Sequence, residues 1–127
     1  MELGPETLAL KALLESYPGA EAFPVPMPRG RPSPATMYKV MAKVFAILNI
    51  KGDQAVILKS DLHWAEILRE QYEGVGHRSH LGRHWISVTL DADVPREEVE
   101  QMVASSYALV CSGLTRRQKA ELAGLSG

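Results

Sequence analysis

Lys43-Val44-Phe45-Ala46-Ile47-Leu48-Asn49-Ile50 reads as a β-strand in which Val44, Ala46, Leu48 and Ile50 alternate with Lys43, Phe45, Ile47 and Asn49. Because side chains alternate across a strand, one face of this segment is wholly apolar and requires a covering layer. Met37-Tyr38-Lys39-Val40-Met41 before it and Gln54 to Lys59 after it are rich in β-branched and aromatic residues, and Lys51-Gly52-Asp53 has hairpin-turn chemistry. The three runs predict an antiparallel meander with helices against one side.

The flanking sequence supplies those helices. Pro5 to Tyr17 places Leu8, Leu13, Leu14 and Tyr17 at helical spacing behind a first-turn proline, and Pro18-Gly19 ends the pattern. Prolines at 18, 24, 26, 28, 32 and 34 exclude a helix or a central strand from Ala22 to Pro34, leaving an edge strand and a loop. Ser60 or Asp61 can cap a helix running to about Tyr72, with Leu62, Ala65, Ile67, Leu68 and Tyr72 on its apolar side. Trp85 to Leu90 alternates as a further strand. Asp93-Val94-Pro95-Arg96-Glu97-Glu98 opens a third helix with acidic side chains in its first turn, where the helix dipole favours them. Thr115 to Leu122 predicts a short final helix, with Ala123 to Gly127 fraying.

The expected architecture is α+β, a two-layer sandwich with helices packed on one face of a curved antiparallel sheet, in the order helix, strands, helix, strands, helix. Residues 1–127 form one domain, since a chain of 127 residues supports a single core and contains no repeat or linker. Its 46% hydrophobic and 23% charged content is that of a globular protein. The apolar run from Val44 to Ile50 is too short to span a bilayer, and the acidic N-terminus lacks a signal pattern, so a cytoplasmic protein with no membrane partner is expected. The single cysteine, Cys111, allows no internal disulfide and is expected to be a buried structural thiol.

A net charge of −1 gives no overall attraction to nucleic acid, yet the charge is unevenly distributed. Residues 21–60 carry six positive and two negative charges, and residues 91–101 one positive and five negative. Lys39, Lys43 and Lys59 on the meander, with Arg78 and Arg83 in a basic hairpin and Trp85 beside it, make up a candidate nucleic-acid surface: cations for phosphates and an aromatic for a base. The same residues also suit the solvated side of a half-covered sheet with Trp85 in the core, and Lys43 suits an edge lysine that discourages aggregation. His77, His80 and His84, with His63, carry metal-ligand chemistry, but their spacing holds no fixed register, and no metal or other cofactor is expected. Arg116-Arg117-Gln118-Lys119 could add phosphate contacts or suit a helix end, and Met27, Met37 and Met41 could line an adaptable groove. No phosphate loop, dinucleotide glycine pattern, nucleophile elbow or zinc-protease helix occurs, so no enzyme is expected.

Four stretches together resemble the MmcQ/YjbR family: Tyr38-Lys39-Val40 with Lys43 and Phe45; Leu58-Lys59-Ser60-Asp61 leading to Ala65 and Leu68-Arg69-Glu70; His84-Trp85-Ile86; and Val94-Pro95 followed by Ser105-Ser106-Tyr107-Ala108-Leu109-Val110. The resemblance spans about residues 37–117 and is least in Phe23 to Pro34. It implies a frataxin-like or secretion-chaperone-like fold and a DNA-binding role through a paired-wing surface. The expected function is therefore a sequence-tolerant DNA-binding module, monomeric or weakly dimeric, with Lys39, Lys43, Lys59, Arg78 and Arg83 on phosphates. The alternative is a chaperone-like protein-interaction module that uses the sheet face.

Overall fold

The α+β expectation is met by four helices and one open, six-stranded antiparallel sheet in a computed structural model that describes residues 5–30, 35–49, 54–77, 84–90 and 93–126. In chain order the elements are α1 (Pro5–Ser16), β1 (Ala20–Pro24), β2 (Ala35–Val40), β3 (Lys43–Asn49), β4 (Ala55–Lys59), α2 (Leu62–Gln71), β5 (Val75–His77), β6 (Trp85–Thr89), α3 (Arg96–Ser112) and α4 (Arg116–Ser126). A 3-10 turn at Pro28–Gly30 follows β1. Strand order across the sheet is β1-β2-β3-β4-β6-β5.

The proline-rich segment does form an edge strand. Val25 N donates to the Ala35 carbonyl, so by antiparallel alternation Glu21 and Phe23 direct their amides toward β2, and Pro24 occupies an outward slot where an N–H would otherwise be unpaired. The β2–β3 hairpin closes through only two residues, Met41 and Ala42, with Val40 paired to Lys43. Both have positive φ (48° and 68°), the backbone that a two-residue turn of matching twist demands and that side chains other than glycine tolerate poorly. Met41 therefore belongs to the turn, and β2 ends at Val40, one residue before the end of the strand expected from sequence.

The register of β2 against β3 shifts between Tyr38↔Ala46 and Lys39↔Val44, leaving Phe45 as an extra residue. This bulge corrects the alternation read from sequence. Phe45 joins Ala46 and Leu48 on the side facing the helices, whereas Val44 pairs with Lys39 on the other side. The Phe45 ring packs against Tyr17 and Tyr107, with centroids 5.8 and 5.2 Å away. Beside the bulge, Ser106 of α3 bridges β3 to β4. Its buried hydroxyl donates to the Phe45 carbonyl at 2.6 Å and accepts from Lys59 N at 2.9 Å, joining β3 and β4 through a helix side chain.

One core lies between the helices and the sheet, built from Leu10 and Leu14 of α1, Leu68 of α2, Val99, Met102, Val103 and Val110 of α3, and Tyr38, Val40, Phe45, Leu48, Val56, Leu58, Ile86 and Val88 from the strands. Each such aliphatic side chain contributes about 1.5–3 kcal/mol through burial. Asp61 caps α2 as expected, accepting from Trp64 N at 2.9 Å. Asp93 does not cap α3: Pro95 stands at that position, and the Asp93 carboxylate instead accepts from Glu73 N and Gly74 N at 2.8 and 2.9 Å, tying the end of α2 to the start of α3. The final helix extends to Ser126 rather than fraying after Leu122, started by a reciprocal cap between Thr115 and Gln118 and anchored by half-buried Leu122. No described helix is long and apolar enough to cross a membrane.

Candidate functional site

All three sheet-packing helices lie on one side, so the opposite face is uncovered by secondary structure among the described residues. Cross-strand register sets what that face presents. Phe23, Met37, Ile47 and Ile57 are successive partners across β1, β2, β3 and β4, forming an apolar row that continues to Ser87 of β6. Ile57 is only 4% exposed although it lies outside the helix-side core, whereas Phe23, at the edge, is 41% exposed.

Beside this row run the polar members. Lys39 on β2 pairs with Glu21 on β1, and its ammonium stands 5.2 Å from the centroid of the Phe23 ring, a cation–π contact. Lys59 pairs directly with Trp85 across β4 and β6, both half-buried. The face thus carries two lysine–aromatic couples, one toward each edge, with aliphatic side chains between them.

Of the residues singled out from sequence, Lys39, Lys59 and Trp85 share this face, and Lys43 does not. The bulge at Phe45 turns Lys43 to the helix side, where its Nζ donates to the Gly113 carbonyl at 2.8 Å, just past the end of α3. It is neither an edge lysine nor a member of the open face, since β3 is an interior strand. Arg78 and Arg83 lie outside the described residues, as do His80 and the side chain of His77. His84 is exposed, and its carbonyl accepts from Ser60 N at 2.7 Å; among the described residues no three His, Cys, Asp or Glu side chains come together as a metal-binding group.

The methionine stripe does not assemble: Met37 faces the open side, while Met41 packs on the helix-side core. Arg116, Arg117 and Lys119 occupy the first turn of α4 rather than its end, so the helix dipole does not favour them, and Arg117 meets Glu121 at 3.6 Å. Cys111 is half-buried rather than enclosed, because it faces an open groove of about 490 Å³ that it lines with Pro18, Tyr107, Lys119 and Leu122. Tyr107 donates to the Pro18 carbonyl at 2.6 Å, and its phenol is pushed up to about 12, first by burial and then by the Cys111 thiol and Tyr17. Sequence reasoning missed Phe23 as a surface residue. Its signal was an aromatic in a strand whose prolines mark it as an edge.

The fold recurs in solved structures. A Deinococcus radiodurans protein with the DUF419 family-model domain matches with a TM-score of 0.76 at 28% identity, over 90% of this chain and 85% of that one. A Pseudomonas syringae protein matches with a TM-score of 0.63 at 16% identity, over 84% of this chain and 98% of that one, a likeness of fold alone. Proteins described as uncharacterised protein YjbR in two Escherichia coli strains are 36% identical over 75 residues, covering 58% of this chain. The chain spans 64% of those relatives' length. The family model named YjbR matches residues 11–109, nearly the whole of the sheet and the helices that cover it, and the chain therefore belongs to the YjbR family.

Proposed function

We propose that this chain is a sequence-tolerant DNA-binding module, not an enzyme, whose contact surface is the helix-free side of the sheet. The observation that carries the reading is the emergence of Lys39, Lys59 and Trp85 on one face, with exposed Phe23 beneath the Lys39 ammonium. Lysines there can neutralise phosphates while the aromatic rings meet bases. Arg78 and Arg83 would extend the phosphate contacts on the sequence pattern alone. A single free thiol suits a reducing, cytoplasmic setting.

The test is a fluorescence-anisotropy titration of labelled DNA at two salt concentrations, with Lys39→Gln/Lys59→Gln and Arg78→Ala/Arg83→Ala variants alongside. Salt-dependent binding weakened by both variants supports the reading, with the slope of log affinity against log salt falling by roughly 0.7–0.9 for each lost phosphate contact. Binding that ignores salt, or that survives both variants, overturns it. A second reading, a protein-interaction module, is favoured by the apolar row from Phe23 to Ile57. It predicts no DNA binding even at low salt.

A further inference from the structure

We infer that the nucleic acid taken by this face is single-stranded, laid across the sheet with bases stacked on Phe23 and Trp85. The inference rests on the DNA-binding reading above and adds the substrate class. Among the described residues the face offers two cations, Lys39 and Lys59, and Lys39 has the Glu21 carboxylate opposite it in the ladder. Two phosphate contacts give little electrostatic affinity, because duplex binding without base contacts grows with the number of phosphates neutralised. Lys43, which would have added a third, is turned to the Gly113 carbonyl.

What the face has instead is ring surface. Phe23 is 41% exposed at the sheet edge, where a purely structural ring gains little from its position. In a duplex the base faces are stacked on one another and unavailable to a flat sheet. In a single strand they are free, and each stack on an aromatic side chain strengthens binding roughly ten- to hundredfold, whatever the base.

The spacing fits. From β1 to β6 there are four inter-strand steps in the order β1-β2-β3-β4-β6. At about 4.8 Å per step they span roughly 19 Å between the Phe23 and Trp85 strands. Lys39 and Lys59 lie between or beside the two rings, on β2 and β4, so phosphates linking the stacked bases pass over cations while half-buried Met37 and Ile47 underlie the sugars.

The experiment titrates the whole chain, in a Trp64→Phe background so that Trp85 is the only tryptophan, with a short oligothymidylate and with a hairpin duplex of equal length at low salt. The readouts are Trp85 fluorescence and anisotropy of the labelled DNA. The inference predicts quenching by the single strand, affinity for it about tenfold or more above that for the duplex, and a similar loss in Phe23→Ala. Phe23 is exposed on an edge strand, so this variant should fold; Lys39→Gln provides a second, independent probe of the same couple. Duplex binding equal to or tighter than single-strand binding and indifferent to Phe23→Ala overturns the inference while leaving the DNA-binding reading standing. Binding of neither nucleic acid overturns both and leaves the apolar row to a protein partner.

Discussion

The Lys43 ammonium donates to the Gly113 carbonyl at 2.8 Å, linking the start of β3 to the end of α3 across 70 residues of sequence. A cation there neutralises the negative end of a 17-residue helix that has no basic residue of its own in its last turn. The site is exposed, so screening limits the contribution, and Lys43→Met should lower stability by about 0.3–1 kcal/mol. DNA affinity should stay as in the parent chain, whereas Lys39→Gln should weaken it. Urea melts and anisotropy titrations on the two variants check this division, and equal loss of DNA binding in both would place Lys43 in the site after all.

Ser106→Ala should be far more costly than its small change in volume suggests. The variant leaves the Phe45 carbonyl and the Lys59 amide unpaired at the bulge, in a position that water does not reach. A loss of about 2–3 kcal/mol is expected from denaturant unfolding. A loss below about 0.5 kcal/mol would show that the two strands re-form the ladder bond without the hydroxyl.

Stability should fall at alkaline pH. Burial raises the phenols of Tyr17, Tyr38 and Tyr107 above the ordinary 10.0, with Glu100 adding to the first and Glu15 to the second, and Tyr107 reaches about 12. A raised folded-state value means that the unfolded chain gives up its protons first. The contribution of Tyr107 is therefore complete below about pH 10 and is lost as pH rises toward 12. Tyr107→Phe should flatten this alkaline slope while costing about 1 kcal/mol at neutral pH through the lost bond to Pro18. Thermal melts of both chains from pH 8 to 11 measure the difference.

Ala42→Gly should stabilise the protein. Ala42 sits at φ 68° in a two-residue turn, an arrangement that costs a non-glycine residue about 1–2 kcal/mol. Glycine removes that strain but has more freedom to lose on folding, leaving a net gain of roughly 0.5–1 kcal/mol, read as a higher melting temperature. A lower melting temperature would mean that the alanine methyl makes packing contacts that outweigh the strain.

Much of the layer arrangement was legible in the chain because it rests on local patterns. The prolines from 18 to 34 announced an edge strand, and Asp61 announced the start of α2. Of the candidate site, Lys39, Lys59 and Trp85 were legible as residue types, but their common face was not. Simple alternation would have placed Lys43 on the same side as Ile47, and the bulge separates the two. Phe23 gained its place only when β1 paired with β2 and brought the ring beneath Lys39.

The amino-acid sequence by itself determined the α+β class of this protein, since period-two and helical apolar patterns can bury their faces only against each other. Tertiary structure alone decided which lysine faces outward and which closes a helix. A one-residue shift of register exchanges the two sides of a strand, and that shift is set by packing of Phe45 against Tyr17 and Tyr107 and by the Ser106 hydroxyl, all contributed from distant parts of the chain.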